Sequence, residues 1–581
     1  MTRRRKTPSY FFNSAFSLVK LRHTLVRNVS LVVVGFCLQL GSAGCGPELK
    51  AGLQITTARL PLEGPCPTTA GVDEFSSEIS DLEIIVKGDD MDDVTGSGAV
   101  GSLTIDEVPV GENRQVIVYG LVGGQKVWRG ITNGVAVVEN EDTAVDVLLS
   151  KVADLTCPRT PHSEGKAFHT ATVLQDGRVL LVGGANANTD ADSTCPGCRR
   201  LTASSSVEIY DPSTGIFSPM QSLSSARMMH TASLLSDGSV LVVGGSSETL
   251  VVPPDASTPF PLKPLLLVPD VEVIDPSDGS VTTIANGGGF GRVFHAATPL
   301  PSGNILISGG ISAAAPIHNL SNALETTIVC ELFSTEAICI GGASMTRTRA
   351  GHALELLETD TDVFTVVAWG GAVSAISSDG FPVWQAEVYD EDTNSWSVRE
   401  VVAMSAQRNL FFAAVTRYVP YRLLAGGGLN RDADGLFDFA RLSLGGVSRG
   451  PVLVLDTINE DWGVATGDPG LDPMHLDAPC FFGSAAALYG EKRAMIAGGF
   501  TTLGMRPSTT LDFFDQVTLL VTTLSVGGVE VGLREARGGL VASNLGNGTI
   551  LLSGGQTGSD GTESVLMTSE IYTDIVDPAG E

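Results

Sequence analysis

The stretch His169-Thr-Ala-Thr-Val-Leu-Gln-Asp-Gly-Arg-Val-Leu-Leu-Val-Gly183-Gly184 limits what this chain can fold into, because versions of it return through most of the sequence. The stretch from His230 to Gly245 repeats it almost letter for letter, and that from His295 to Gly310 keeps its spacing. Weaker copies end at Gly370-Gly371, Gly426-Gly427, Gly498-Gly499 and Gly554-Gly555, which makes seven units. A chain of this kind builds one supersecondary module many times over, each copy burying its apolar face against the next.

Each unit reads as an apolar strand, a turn such as Asp176-Gly177 or Asp237-Gly238, a second continuous apolar strand, and a glycine pair where the backbone must turn or approach a neighbour closely. A third strand follows, as in Val207-Glu-Ile-Tyr-Asp211, Val271-Glu-Val-Ile-Asp275 and Ala386-Glu-Val-Tyr-Asp390, and aromatics such as Trp396 or Trp462 mark a fourth. Four short strands per unit predict an all-β fold, a seven-bladed β-propeller over residues 152–581. At these residues the chain resembles the kelch repeat family. Paired glycines follow the second strand, an acidic residue closes the third, and tryptophan stands in the fourth in some copies. It departs from that family in its spacing, since the glycine pairs lie up to 72 residues apart (426 to 498), against about 50 in a kelch unit.

Residues 1–44 hold seven Lys or Arg and no acid, and the apolar run Leu31-Val-Val-Val-Gly-Phe-Cys-Leu-Gln-Leu40 follows the last of them. That pattern predicts a secretory signal, because the run falls short of the roughly 20 residues a membrane span needs. The following Ser42-Ala-Gly-Cys45-Gly resembles a bacterial lipobox, which implies lipidation of Cys45 and a place on the bacterial envelope, with the outer membrane expected, held by the lipid anchor only. The whole chain carries 36 basic and 65 acidic residues, a net charge of −29, which becomes −36 once the seven leader cations are removed. A surplus of that sign predicts no nucleic-acid partner.

Between residues 45 and 151 alternating strands run without the repeat, for example Leu82-Glu-Ile-Ile-Val86 and Gln115-Val-Ile-Val-Tyr119, and predict a small β-sandwich. The run Val108 to Gly120 with Trp128-Arg-Gly130 resembles prealbumin-like or immunoglobulin-like modules near the anchors of surface lipoproteins. The seventh unit lacks a fourth strand after Ser569-Glu-Ile-Tyr572. Residues 152–157 are therefore expected to supply it, because closing a sheet removes its exposed edges.

Three residues before the repeated histidines stand Lys166, Arg227, Arg292 and Arg349, with Arg408 and Arg537 at the corresponding places in units five and seven. Their position on the face that carries the longest insertions suggests a basic ring around the channel mouth. The kelch resemblance implies carboxylate binding by arginines there, and salt bridges to acidic residues of neighbouring blades are the alternative. The histidines themselves read as structural. Cys330 and Cys339 flank a short turn, and Cys195-Pro-Gly-Cys198 sits in a loop; both read as local disulfides, with one of the remaining cysteines left free. The oxygen-rich runs Asn188 to Asp192 and Asn430 to Gly435 lack the distal glutamate of a calcium loop. No metal or cofactor is expected.

The kelch resemblance extends to the central domain of copper radical oxidases such as galactose oxidase. Here only His162, His318 and His475 among the residues after the leader lie outside the repeat position, and no Gly-x-Ser-x-Gly or His-Glu-x-x-His motif occurs. The sequence therefore reads as a non-catalytic binding propeller for a protein, peptide or glycan, with anionic groups favoured. A structural envelope component is the competing reading.

Overall fold

A computed structural model describes residues 50–59, 66 and 78–576, apart from residues 140, 191–194, 254–260, 285–289, 313–322, 334–335, 361–362, 372–385, 400, 402–410, 432–436, 440–441, 445–446, 458–462, 466–473, 489–491, 527–528 and 559–561. Among the described residues every regular element is a strand. The fold is all-β.

The first seven strands form one sheet. Its spatial order is Val94–Gly98, Asp81–Lys87, Gly111–Val122, Gln125–Val137, Thr143–Lys151, Lys50–Arg59 and Ser102–Pro109. Alternation makes its inside: along Asp81–Lys87 every second residue is buried, and Leu53, Ile84, Val118, Trp128 and Val147 meet in one core. The expected sandwich thus takes the form of a single curled sheet whose two edges nearly meet, since a Cβ placed on Gly96 would lie 3.0 Å from Ile105 Cδ1. Three register shifts between Gly111–Val122 and Gln125–Val137 bend the ladder enough to fold the sheet over its own core.

Seven further sheets share one plan. In unit 1 the strands Thr170–Val173, Val179–Val182, Val207–Asp211 and Ile216–Pro219 pair in sequence order as an antiparallel meander. The first strands of the others are Thr231–Leu234, Ala296–Pro299, Ala353–Asp360, Ala414–Val419, Ser484–Ala487 and Val541–Asn544. Neighbouring first strands lie side by side, and that of unit 7 returns to that of unit 1. Units 4 and 5 instead meet at the strand ends, where Glu358 N donates to Pro420 O at 2.9 Å and Arg417 Nη1 to Leu356 O at 2.7 Å. The second strands, Val179–Val182, Val240–Val243 and Ile305–Ser308 among them, are buried along their whole length, which is why they read as continuous apolar runs. Their side chains fill the seams between sheets: Leu180, Val182 and Val207 of unit 1 pack on Val240, Val242 and Ile274 of unit 2. Each such buried side chain contributes roughly 1.5–3 kcal/mol.

Unit 7 takes its fourth strand from before unit 1. Leu155–Thr156 pairs with Ser569–Thr573, with Thr156 opposite Ile571 and Leu155 opposite Tyr572. The N-terminal sheet is fastened to the same place. Arg129, 2% exposed, donates to the carbonyls of Val576 (2.8 Å), Asp574 (3.0 Å) and Gly548 (3.3 Å), and Ser150 Oγ lies 2.6 Å from Thr573 Oγ1. A disulfide joins Cys66 to Cys157.

The insertions after the glycine pairs of units 1 and 2 are strands themselves. Ala185–Asp190, Arg199–Ala203, Ser246–Val251 and Leu262–Leu267 make one sheet across the two units. In the second of these insertions Leu262 is completely buried and Leu266 is exposed.

Candidate functional site

The basic residues do not ring an open mouth. Lys166, Arg227, Arg349 and Arg537 are completely buried, and each is paired with the glutamate in the third strand of its own unit. Arg227 Nη2 lies 2.5 Å from Glu272, Arg349 Nε 2.9 Å from Glu387, Arg537 Nε 2.9 Å from Glu570 and Lys166 Nζ 3.4 Å from Glu208. The same glutamates accept from the loop three residues ahead of the cation: Ser163 N, Ser224 N, Thr346 N and Arg534 N donate at 2.6–2.9 Å. The arginines also donate to the first glycine of their unit's pair, Arg227 to Gly244 O, Arg349 to Gly370 O and Arg537 to Gly554 O. These partners are internal, so the four buried cations clamp loop, third strand and glycine pair together instead of facing the surface. The acid is that of the same sheet, not that of a neighbouring one.

Three units depart from this plan. Arg292 of unit 3 is 3% exposed and has Ile328 where the others have glutamate; its Nη1 donates to Gly309 O and Thr326 O, while its Nε has no acceptor among the described residues. Burial without a counter-charge pushes its guanidinium down to about 10. In unit 6, Gly428 N donates to Cys480 O at 2.7 Å, the bond that Gly184, Gly245 and Gly310 make to Arg227, Arg292 and Arg349, so Cys480 occupies the basic position. Its thiol faces the buried Asp512, whose carboxyl is lifted by burial to about 7 and accepts only from Asp477 N among the described residues. For unit 5, the bridge between Phe411 and Leu429 matches that between Ala167 and Ala185, so the repeat position falls on Leu410 and not on Arg408. Residues 408 and 410, like Cys45, lie outside the described residues. The same bridge makes Gly427 and Gly428 the glycine pair of that unit.

The repeated histidines staple one unit to the one before it. His169 Nε2 reaches Ser553 Oγ (2.8 Å), His230 reaches Thr170 (3.0 Å), His295 reaches Thr231 (3.0 Å) and His352 reaches Ser308 (2.8 Å). Burial drives all four below the ordinary histidine range, His295 and His352 to about 3, so they are neutral bridges.

The residue just before each histidine position carries a feature that the sequence reading missed. Phe168, Met229, Phe294, Gly351, Phe412, Phe482 and Gly539 all have φ between +50° and +66°. Their backbones hand hydrogen bonds from unit to unit: Phe168 N to Gly539 O, Gly539 N to Phe482 O, Phe482 N to Phe412 O, Phe412 N to Gly351 O, Gly351 N to Phe294 O and Met229 N to Phe168 O, at 2.8–3.1 Å. The aromatic rings gather inside this circle, with centroids 4.7 Å apart for Phe294 and Phe412, 4.0 Å for Phe412 and Phe482, and 5.3 Å for Phe168 and Phe482. Beneath the insertion sheet they join Leu201, Leu262, Phe481 and Phe500 in one apolar plug.

Beyond that plug lies an open-sided cavity of about 410 Å³, between the first strands of units 2 to 6. Phe294, Phe412 and Phe482 form its floor; Ala296, Ala297, Ala353, Ala414 and Ala485 keep its walls wide, and Thr231, Ser484 and Glu355 bring polar groups. It is of a size to hold a small ligand.

The cysteines serve structure. Cys330 and Cys339 face each other in register and are bonded, Cys195 is bonded to Cys198 in the turn of the first insertion, and Cys480 is the free, buried thiol. Among the described residues no three His, Cys, Asp or Glu side chains gather as a metal site, and parts of both calcium-like runs lie outside them. Comparison with known proteins finds no matching family model and no matching curated relative.

Proposed function

We propose that this chain is a non-catalytic binding protein of the bacterial cell envelope: a seven-bladed kelch-type β-propeller, held by a lipid anchor at Cys45, that takes part of a peptide or glycan into its axial cavity. The cavity carries this reading, because it is the roomy concave site on the axis of seven like sheets and three aromatic rings close its inner end. The unit-to-unit hydrogen bonds and the borrowed fourth strand support the propeller assignment. With the basic ring buried, the binding face moves from the insertion side to the cavity.

Capture of envelope-extract components on the full chain tests this, beside the variant Ala296→Leu with Ala353→Leu, which narrows the cavity. Ligand retained by the parent and lost by the folded variant is the expected result; equal capture would overturn the cavity as the site. A structural envelope role is the second reading, favoured by the hydrogen-bonded junction through Arg129, and it requires that neither protein bind anything saturably.

A further inference from the structure

Resting on that binding reading, we infer that the axial cavity takes a small organic ammonium ion, with Glu355 as its counter-charge and the Phe294, Phe412 and Phe482 floor beneath it. Glu355 is the one acidic residue in the lining: His295 and His352 are held neutral, and among the described residues no Lys, Arg or Asp lines the space. In units 1, 2, 3 and 5 the corresponding place holds a small hydroxyl, Thr172, Ser233, Thr298 or Thr416. Unit 4 puts a carboxylate there, at the seam where its first strand stands apart from that of unit 5.

That carboxylate accepts no hydrogen bond among the described residues. Its charged neighbour is Arg417, an exposed side chain whose Nη1 is committed to Leu356 O. Burial pushes the Glu355 carboxyl above the ordinary range, with the Arg417 charge opposing only part of the rise, so a cation taken into the cavity would stabilise the charged form. A carboxylate on the wall and stacked aromatic rings on the floor are the two groups that stabilise an alkylammonium ion, one through charge and the other through the ring quadrupole. The chain's net charge of −29 draws cations toward such a site and disfavours anions. The expected ligand sign is therefore the reverse of the one suggested by the basic residues.

Titration calorimetry on the detergent-extracted full chain decides the matter with choline and dimethylbutanol, its uncharged carbon isostere. Choline is expected to bind about tenfold or more tightly than the isostere, and Glu355→Gln, with an unchanged unfolding midpoint, to abolish that difference. Phe412→Leu should weaken choline more than the isostere. Equal binding of the two probes, or a preference that survives Glu355→Gln, would overturn the cationic assignment while leaving a ligand cavity in place. Binding of neither would also overturn it, and the cavity reading would then rest on the extract capture alone.

Discussion

The buried clamps give the individual residues unequal weights. Removing the Arg349 side chain would leave Glu387 charged and fully buried, so Arg349→Ala should destabilise by about 3–5 kcal/mol, whereas Arg349→Met with Glu387→Leu should cost much less. Urea unfolding of the two variants checks this. In unit 3 the argument runs the other way, since Ile328→Glu would give Arg292 the partner its Nε lacks and should raise the midpoint. Asp512 makes stability depend on pH. The folded protein keeps that proton to about pH 7 while the unfolded chain sheds it near 3.8, so the contribution is fully present below about pH 4 and falls as pH rises through 7. Asp512→Asn should therefore be more stable than the parent at pH 8 and equal to it near pH 4, by thermal unfolding at both. A gain of the same size at both pH values would mean that the carboxyl does not titrate in this way. The types at the basic position were legible in sequence because they repeat. Their burial was not, because it depends on the glutamate one place into the third strand, which brings the counter-charge from about forty residues away.

At the scale of the element, the glycine pair is the joint between units. Gly244 has φ +67°, and a Cβ there would lie 2.6 Å from Arg292 O and 2.7 Å from His295 Cε1 of the next unit; Gly238, in the turn, has φ +91° and no atom closer than 3.9 Å. Gly238→Ala carries only the left-handed backbone cost, on the order of 1 kcal/mol, while Gly244→Ala adds a collision with fixed backbone. Thermal unfolding should show a markedly larger drop for Gly244→Ala, and similar drops would deny the glycine pair its joint role. The glycines, strands and turns were readable because each is a local demand of the chain. The plug was not: it comes from a residue that varies among phenylalanine, methionine and glycine, and the variation makes sense only around the ring. Gly351 is the place where Phe411 and Phe412 need room, and Gly539 the place where Phe168 does. Unit 5 was misaligned at Arg408 because its histidine is replaced by Ala413, which left no local marker for the register.

For the whole molecule, closure depends on a segment that sequence order places far from its partner. Leu155–Thr156 completes the last sheet, and Cys66–Cys157 ties the same segment to the N-terminal part across 91 residues. A crosslink closing a loop of that length restricts the unfolded chain by roughly 4–5 kcal/mol, and Arg129 adds three hydrogen bonds to carbonyls beside the closing strand. These act on one seam and hold it closed, so removing them should weaken the ring there. A chain beginning at residue 160 leaves Ser569–Thr573 as an exposed edge, open to pairing with a second chain, and should associate and unfold at lower temperature. Restoring residues 152–159 without the N-terminal sheet should return the monomer by supplying the strand, but only part of the midpoint, since the disulfide and the Arg129 contacts are still missing. Size-exclusion chromatography and thermal unfolding of the three lengths separate these contributions. A monomeric, equally stable chain from residue 160 would mean that unit 7 does not need the borrowed strand.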